Sequence, residues 1–307
     1  MSSLLEYITK NPQETKRLIG VDYEQLQQLI TQAAALEEKK QAVHEDGKIR
    51  IINKGGGRKP KLSVREQILL TLVYLHHMPT FQMLGVQFGV SESTAHSLFH
   101  YWSEILRKLL PASLLEQVKK NEGDWEWVKE MLKEWELVVD SSEQVRERPK
   151  DYEEQKKCYS GKKKNHTRKN QLIVLPNTRE IVDVIVGKPG PNSDINLFRE
   201  RRSEFAVGQR FLGDKGYVGE EQIETPHKKP KKQELTADLK QENKKLSKQR
   251  IVVEHMIRLL KVFRVAAERF RLSSSRYEQV ILTICGLVRL RVGALILPQL
   301  KPEDSGV

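Results

Sequence analysis

The chain changes its apolar rhythm near residue 135, and that change limits what it can fold into. Before it, apolar residues recur at helical spacing. Beyond it come short unbroken apolar runs: ELVVDSS from Glu136, QLIVLP from Gln171, EIVDVIVG from Glu180 and QRFLGDKGY from Gln209. Runs of that length bounded by turn signals read as strands, and unbroken apolarity suits burial on both faces. Asn177 and Thr178 supply a tight turn between the second and third runs, and NSDINLFRE opens a helix. A longer helix is expected from about Ser247 to Arg269. Strands followed by helices, after an all-helical region, specify an α/β sheet domain behind an all-α segment. With 307 residues, 38% of them hydrophobic, the chain has room for two or three domains and can bury at least one core.

The helical region has its own punctuation. Residues 1–46 read as helical, with Asp22 as cap, Gln25 at the capping-box position and Leu26, Leu29, Ala33 and Leu36 on one face. Gly55, Gly56 and Gly57 followed by Arg58, Lys59 and Pro60 read as a flexible basic linker. A strongly apolar helix then starts at Ser63 and ends before Pro79. TFQMLGVQFGVSESTAHSLFHYW has the build of a helix-turn-helix. Phe81, Leu84 and Phe88 form one inner face, Gly89 the left-handed turn and Val90 the plug of the corner. Ser91 caps a second helix whose Ala95, Leu98, Phe99 and Trp102 turn inward. Ser93, Thr94, His96 and Ser97 are left for a DNA groove or phosphate backbone, although a helical hairpin with no DNA would share the pattern. DWEWVKEMLKEW, with three of the four tryptophans, reads as core or interdomain packing.

Charge narrows the partner. The formal net charge is +12, with 53 Lys and Arg against 41 Asp and Glu. Ten basic and four acidic residues lie between Gln144 and Asn170, and twelve and four between His227 and Arg264, so these two windows hold the entire excess. A polyanion is the first partner such regional basicity suggests, though a charge run can also be a solvated face. Cys158 and Cys285 are too far apart for a cysteine zinc cluster or disulfide framework and fit a reducing, cytoplasmic compartment. The N-terminus lacks a signal-peptide pattern. VILTICGLVRLRVGALIL from Val280 is broken by Arg289 and Arg291 and reads as a buried helix rather than a membrane span.

Chemistry in an open α/β sheet collects at the carboxyl ends of strands. Asp140 and Asp214 each follow an apolar run and are expected at such ends, where an Asp can also simply cap a turn. A third acid, Glu254, projects from the long helix, on which Ile251, Val252, Met256, Leu259, Leu260 and Phe263 are the apolar residues. Arg250, Glu254 and Lys261 fall within about 40° of one another on that helix at 100° per residue. They form either a solvent-exposed ion-pair row or a metal ligand beside two phosphate clamps. Three hard oxygen donors suit Mg²⁺, and two such ions can activate an attacking oxygen and stabilise a leaving one. No histidine and cysteine spacing supports zinc.

Four ordered stretches, LVVDSSEQVRERP, CYSGKKKNHTRKNQ, FLGDKGYVG and RIVVEHMIRLLKVFRV, resemble the DDE transposases of bacterial insertion sequences, in the group related to Harbinger-type transposases. The similarity spans roughly residues 58 to 295. It implies a ribonuclease-H-like domain with a mixed central sheet, carrying Asp140 on the first strand, Asp214 on the fourth and Glu254 on the following helix. Those three acids would be catalytic and hold two Mg²⁺ ions, for which Mn²⁺ would substitute. Of the family's Tyr-Arg-Glu-Lys signature, Arg250, Glu254 and Lys261 are present and Ser247 replaces the tyrosine. Lys162, Lys163, Lys164 and His166 would lie along DNA, as would Arg250 and Lys261. The organisation implied is a helical region and linker over 1–57, the helix-turn-helix region over 58–123, the catalytic domain over 124–300 and a tail over 301–307. The resemblance implies binding of terminal inverted repeats, cleavage and strand transfer, with double-stranded DNA as partner and a homodimer or larger assembly on it. A nuclease of the same fold without strand transfer, or a silent DNA-binding remnant, are the competing readings.

Overall fold

A computed structural model describes residues 3–45, 59–119, 124–230 and 234–297. The expected linker glycines, Arg58 and the 301–307 tail lie outside the described residues. The described residues divide into two compact units, one of residues 1–110 with 263–265 and 295 onward, the other of residues 111–262 with 266–294. No described helix is long and apolar enough to cross a membrane.

The first unit is helical: α1 (Ser3–Lys10), α2 (Thr15–Ile19), α3 (Tyr23–Glu45), α4 (Val64–His77), α5 (Phe81–Phe88) and α6 (Glu92–Leu109). Its helix starts follow from local chemistry. Asp22 and Gln25 exchange backbone-to-side-chain hydrogen bonds at 3.1 and 2.9 Å at the start of α3, and Ser63 with Glu66 closes a second capping box at α4. Thr80 caps α5 and Ser91 caps α6, each accepting from the backbone N–H three residues on. Between them Gly89 adopts φ 66°. Gly85 is required for a different reason: a Cβ there would stand 2.7 Å from the Val90 carbonyl. Leu84, Phe88, Ala95, Phe99 and Trp102 are buried between these helices, Phe81 and Leu98 partly so, and the helix-turn-helix expected from the sequence is present.

The second unit contains α7 (Leu114–Lys119), α8 (Trp125–Leu132), β1 (Glu136–Val145), α9 (Tyr152–Cys158), β2 (Tyr159–Ser160), β3 (Asn165–Leu175), β4 (Glu180–Pro189), α10 (Asp194–Arg201), β5 (Arg210–Leu212), β6 (Ile223–Glu224), α11 (Ala237–Val262) and α13 (Tyr277–Arg291), while the residues of α12 (Arg264–Ala267) are divided between the units. The main sheet runs β4-β3-β1-β5-β6, with β1, β3 and β4 antiparallel and β5 and β6 parallel to β1; β2 adds a short pairing to β3. That is the ribonuclease-H-like arrangement the resemblance implied. Leu137, Val139, Ile173, Val182 and Phe211 turn one face toward α7, α8 and α10. The alternating Val138, Leu172, Val174 and Leu212 are as deeply buried, with α11 across β1 and β3 and α13 on β4. Both faces are covered, so these strands read as unbroken apolar runs.

Three expectations are corrected. The long helix starts at Ala237 and stops at Val262, not at Ser247 and Arg269; its first three turns are polar and bury only Leu246, leaving no apolar stripe to read. On that helix Val253, Met256, Ile257 and Leu260 face inward, whereas Ile251 is exposed. The tryptophans near the domain start are core only in part: Trp125 packs against the core from under the ammonium groups of Lys119 and Lys129, whereas Trp127 is 67% exposed and Trp135 is also exposed, and Val128 and Leu132 are the buried residues of α8.

Past the helix Ile296 is exposed, but α13 itself is mostly buried, as expected, around a fully paired Arg289. Its guanidinium donates to Glu180 Oε2 at 3.0 Å, Gln117 Oε1 at 2.9 Å and the carbonyls of Pro111 and Ser113 at 2.8 and 3.1 Å. Truncating one partner of a buried pair strands the other's charge. Arg289→Ala should therefore cost roughly 3–5 kcal/mol in urea unfolding of the full chain. An unchanged midpoint would show that the pair contributes nothing.

Candidate active site

The sheet opens where β1 and β5 part. These strands pair in parallel only at Glu136–Arg210, Leu137–Phe211 and Val138–Leu212, while β1 continues along β3 as far as Val145. Asp140 is thus not at the end of its strand, as the local sequence suggests, but midway along a ten-residue one. It nevertheless stands at a strand end in effect, two residues past the last bond to β5. Asp214 likewise follows two residues after Leu212, near enough for its charge to add to the upward shift of Asp140.

Local structure fixes both aspartates. Asp140 Oδ1 accepts from the N–H of Ser141 at 2.8 Å. Asp214 caps a short 3-10 turn, Lys215–Tyr217, accepting from Gly216 N–H at 2.7 Å. The glycines of FLGDKGY are steric necessities. A Cβ on Gly213 would sit 2.8 Å from the Tyr217 ring, and one on Gly216 would sit 2.8 Å from Asp214 Oδ1 and 3.1 Å from Asp194 Oδ2. Tyr217 is fully buried, and its hydroxyl lies 3.1 Å from Ser141 Oγ and accepts from Gln171 Nε2 at 2.9 Å. It anchors the backbone beside Asp140 from within the core.

Glu254 reaches the same place from α11. It lines a cavity of about 340 Å³ together with Asp140, Ser142, Lys162, Lys163, Asp194 and Lys261, among others. Arg250 Nη2 is 4.0 Å from Glu254 Oε1, and the mostly buried guanidinium also favours the charged form of Asp140. Arg250, Glu254 and Lys261 therefore share the helix face that the spacing indicated. Lys164 is exposed and outside the cavity lining, and His166 pairs with Tyr159 at the β2 edge, its ring 5.5 Å from the tyrosine's. On α6, in the other unit, Ser93 and Thr94 are exposed with their hydroxyls 3.0 and 2.8 Å from Ser91 Oγ; Ser97 is exposed, and His96 packs on Phe81 with its Nε2 3.0 Å from that of His100.

Sequence reading missed two residues of this wall, Asp194 and Lys169. Asp194 was legible only as the first residue of a helix capped by Ser193, and Lys169 only as one more basic residue in a charged window. What joins them to the site is strand pairing across the sheet, which no local pattern encodes.

Residues 139–289 match the DDE superfamily endonuclease family, and residues 60–112 match the helix-turn-helix of DDE superfamily endonuclease. A probable transposase for insertion sequence element IS702, from Microchaete diplosiphon, is 33% identical over 266 residues, covering 85% of this chain and 88% of the relative. The chain belongs to the DDE transposases of insertion sequences. Its endonuclease and helix-turn-helix regions serve DNA transposition. Among solved structures, the Mos1 transposase paired-end complex with left transposon end is 13% identical over 83% of each chain, with a TM-score of 0.23. The mariner Mos1 paired end complex with Mg is 16% identical over 84% of this chain and 86% of that one, with a TM-score of 0.19. Neither superposition is close enough to bear on the fold.

Endonucleases of this family use divalent metal ions, and the transposase's donor set suits a hard cation: carboxylate oxygens with lysines around them. Burial, with added repulsion from Asp214 and Asp194, raises Asp140 from 3.8 to about 6 against the opposing pull of the Ser141 N–H and Arg250. A buried carboxylate so short of compensating charge is what a cation would relieve. As they stand, no three His, Cys, Asp or Glu side chains among the described residues converge closely enough to hold an ion. Asp140 and Asp214 are close enough to repel one another, and Glu254 lines the same cavity as Asp140.

The raised value has a stability consequence. The folded chain holds the Asp140 proton more tightly than the unfolded chain does, so ionising Asp140 costs stability. The cost is absent below about pH 4 and complete above about pH 6. Asp140→Asn should accordingly stabilise the metal-free transposase at pH 7.5, by up to roughly 3 kcal/mol for a shift of that size, and give no gain near pH 3.5. Thermal unfolding at the two pH values measures this. A gain equal at both would rule out the ionised carboxylate as its source.

Proposed function

We propose that this transposase binds the terminal inverted repeats of its element through the helix-turn-helix, cleaves DNA there and joins the freed 3′-hydroxyl to target DNA. The observation that carries the reading is the cavity wall on which Asp140 and Glu254 stand among Lys162, Lys163 and Lys261, with Asp214 just past β5 and close enough to repel Asp140. Asp140, Asp214 and Glu254 are the residues to hold Mg²⁺, with Mn²⁺ as a substitute. When bound, such ions lower the proton affinity of an attacking water or hydroxyl and offset charge on the leaving oxygen.

The chain's own residues do the rest. Lys162, Lys163 and Lys261 supply ammonium groups at the cavity, the right chemistry for a scissile phosphodiester and its neighbours. Arg250 holds Asp140 toward its charged form and lies beside Glu254, so it favours the ionised carboxylates that a cation needs. Lys164 and His166 continue the basic track along the DNA. Ser93, Thr94, His96 and Ser97, at the exposed start of α6, read the repeat. Hydrolysis and joining are the same in-line displacement with water or a 3′-hydroxyl as nucleophile, so one cluster serves both. Holding two element ends together calls for a dimer or larger assembly, acting in the cytoplasm where the DNA is.

End-labelled DNA carrying a terminal repeat tests the reading. With Mg²⁺ the wild type should release a cleaved end and then a joined product. Asp140→Asn, Asp214→Asn and Glu254→Gln should each bind the DNA but lose cleavage by roughly 10²–10³-fold or more, the loss seen when one preplaced electrostatic group is removed. Any of the three that cleaves at the wild-type rate leaves the site. Cleavage with no joined product would reduce the activity to that of a nuclease.

A further inference from the structure

Lys169 is the least expected residue of the cavity wall. It points from β3 into the site with its side chain 9% exposed, and its Nζ lies 2.9 Å from Asp194 Oδ1 while donating to the Asn192 carbonyl. Burying an ammonium is costly, and two apolar side chains in place of a buried ion pair are often equally or more stabilising. The pair therefore calls for a reason other than folding.

Its surroundings supply one. Asp194 is the first residue of α10, started by the Ser193 cap, and its backbone carbonyl accepts from Gln171 Nε2 at 2.9 Å. The same amide nitrogen binds the Tyr217 hydroxyl that braces the backbone beside Asp140. Asp194 Oδ2 and Asp214 Oδ1 both lie within 3.1 Å of where a Cβ would stand at Gly216, and only a glycine leaves them that room. Asp194 thus shares its bracing with Asp140 and its turn with Asp214. Three acidic side chains come within electrostatic reach of one another, and one of them carries its own buried cation.

We propose that Asp194 is a fourth carboxylate of the cation site, and that Lys169 is the positioning residue that holds it against the Asp140 and Asp214 pair. The proposal rests on the assignment of Asp140, Asp214 and Glu254 as the cation site. Asp194 adds a further oxygen donor facing the divalent ion. Lys169 neutralises it when no ion is there, which lets four carboxylates share one crevice.

Binding of Mn²⁺ to the full chain without DNA tests this, followed by the electron paramagnetic resonance signal of the free ion. Asp140→Asn and Asp214→Asn should weaken Mn²⁺ binding, and Asp194→Asn should weaken it by roughly 10-fold or more, the scale of effects from groups that complete a metal site. Asp194→Ser, equally at home in a first helical turn, is the second variant and should do the same. Circular dichroism confirms that each variant is folded. Wild-type affinity in both Asp194 variants, with Asp140→Asn weakened, overturns the proposal alone; wild-type affinity in all of them overturns the underlying site. Lys169→Met should shift the affinity by itself but leave it unchanged when added to Asp194→Asn. No shift alone, or the same shift in both backgrounds, removes Lys169 from the role.

Discussion

The active site depends on where two parallel strands stop pairing. β1 leaves β5 after Val138 and Leu212 but stays bonded to β3 for seven more residues. Because β1 is still held on its other edge, Asp140 stands on rigid backbone at the lip of an opening instead of on a loose strand end. β5 has finished by then, and the chain turns at once through Asp214. Each carboxylate follows the last β1–β5 pair, Val138 with Leu212, by two residues, and Glu254 lines the cavity with Asp140 from α11, which packs on β1.

Electrostatics then work against folding and in favour of function. Asp140 is raised to about 6 by its burial, with Asp214 and Asp194 adding to the shift. Such crowding costs stability in the empty chain, and a divalent ion at the proposed site would relieve it. The lysines that line the cavity do not cancel the carboxylates one for one. Only Lys169 is committed to a carboxylate, at Asp194; Lys162 and Lys163 are exposed on the connection between β1 and β3, where a phosphodiester can reach them. A buried structural ion pair stands elsewhere, between Arg289 and Glu180.

Much of this was legible in the residues. The helix-turn-helix announced itself through Gly89 and Ser91, since a cap and a left-handed turn are local chemistry. The strands announced themselves because a sheet covered on both faces leaves no polar alternation, and the face shared by Arg250, Glu254 and Lys261 followed from helical geometry alone. What escaped were consequences of pairing at a distance. Nothing near Asp140 says that β3 will carry its strand onward to Val145. Nothing near Asp194 says that Lys169, on another strand, will be its partner. The polar first turns of α11 and the exposure of Trp127 were misjudged for a related reason: apolarity indicates burial only when some other element is there to cover it.

The central claim is that Asp140 and Asp214, each two residues past the last β1–β5 pair, are the core of a divalent-cation site. Anomalous diffraction from crystals of the full chain soaked in Mn²⁺ tests it most directly. The account expects a manganese peak within coordinating distance of carboxylate oxygens of both Asp140 and Asp214. A peak that touches only one of them, or none in that crevice while the crystals take up the ion elsewhere, would contradict it.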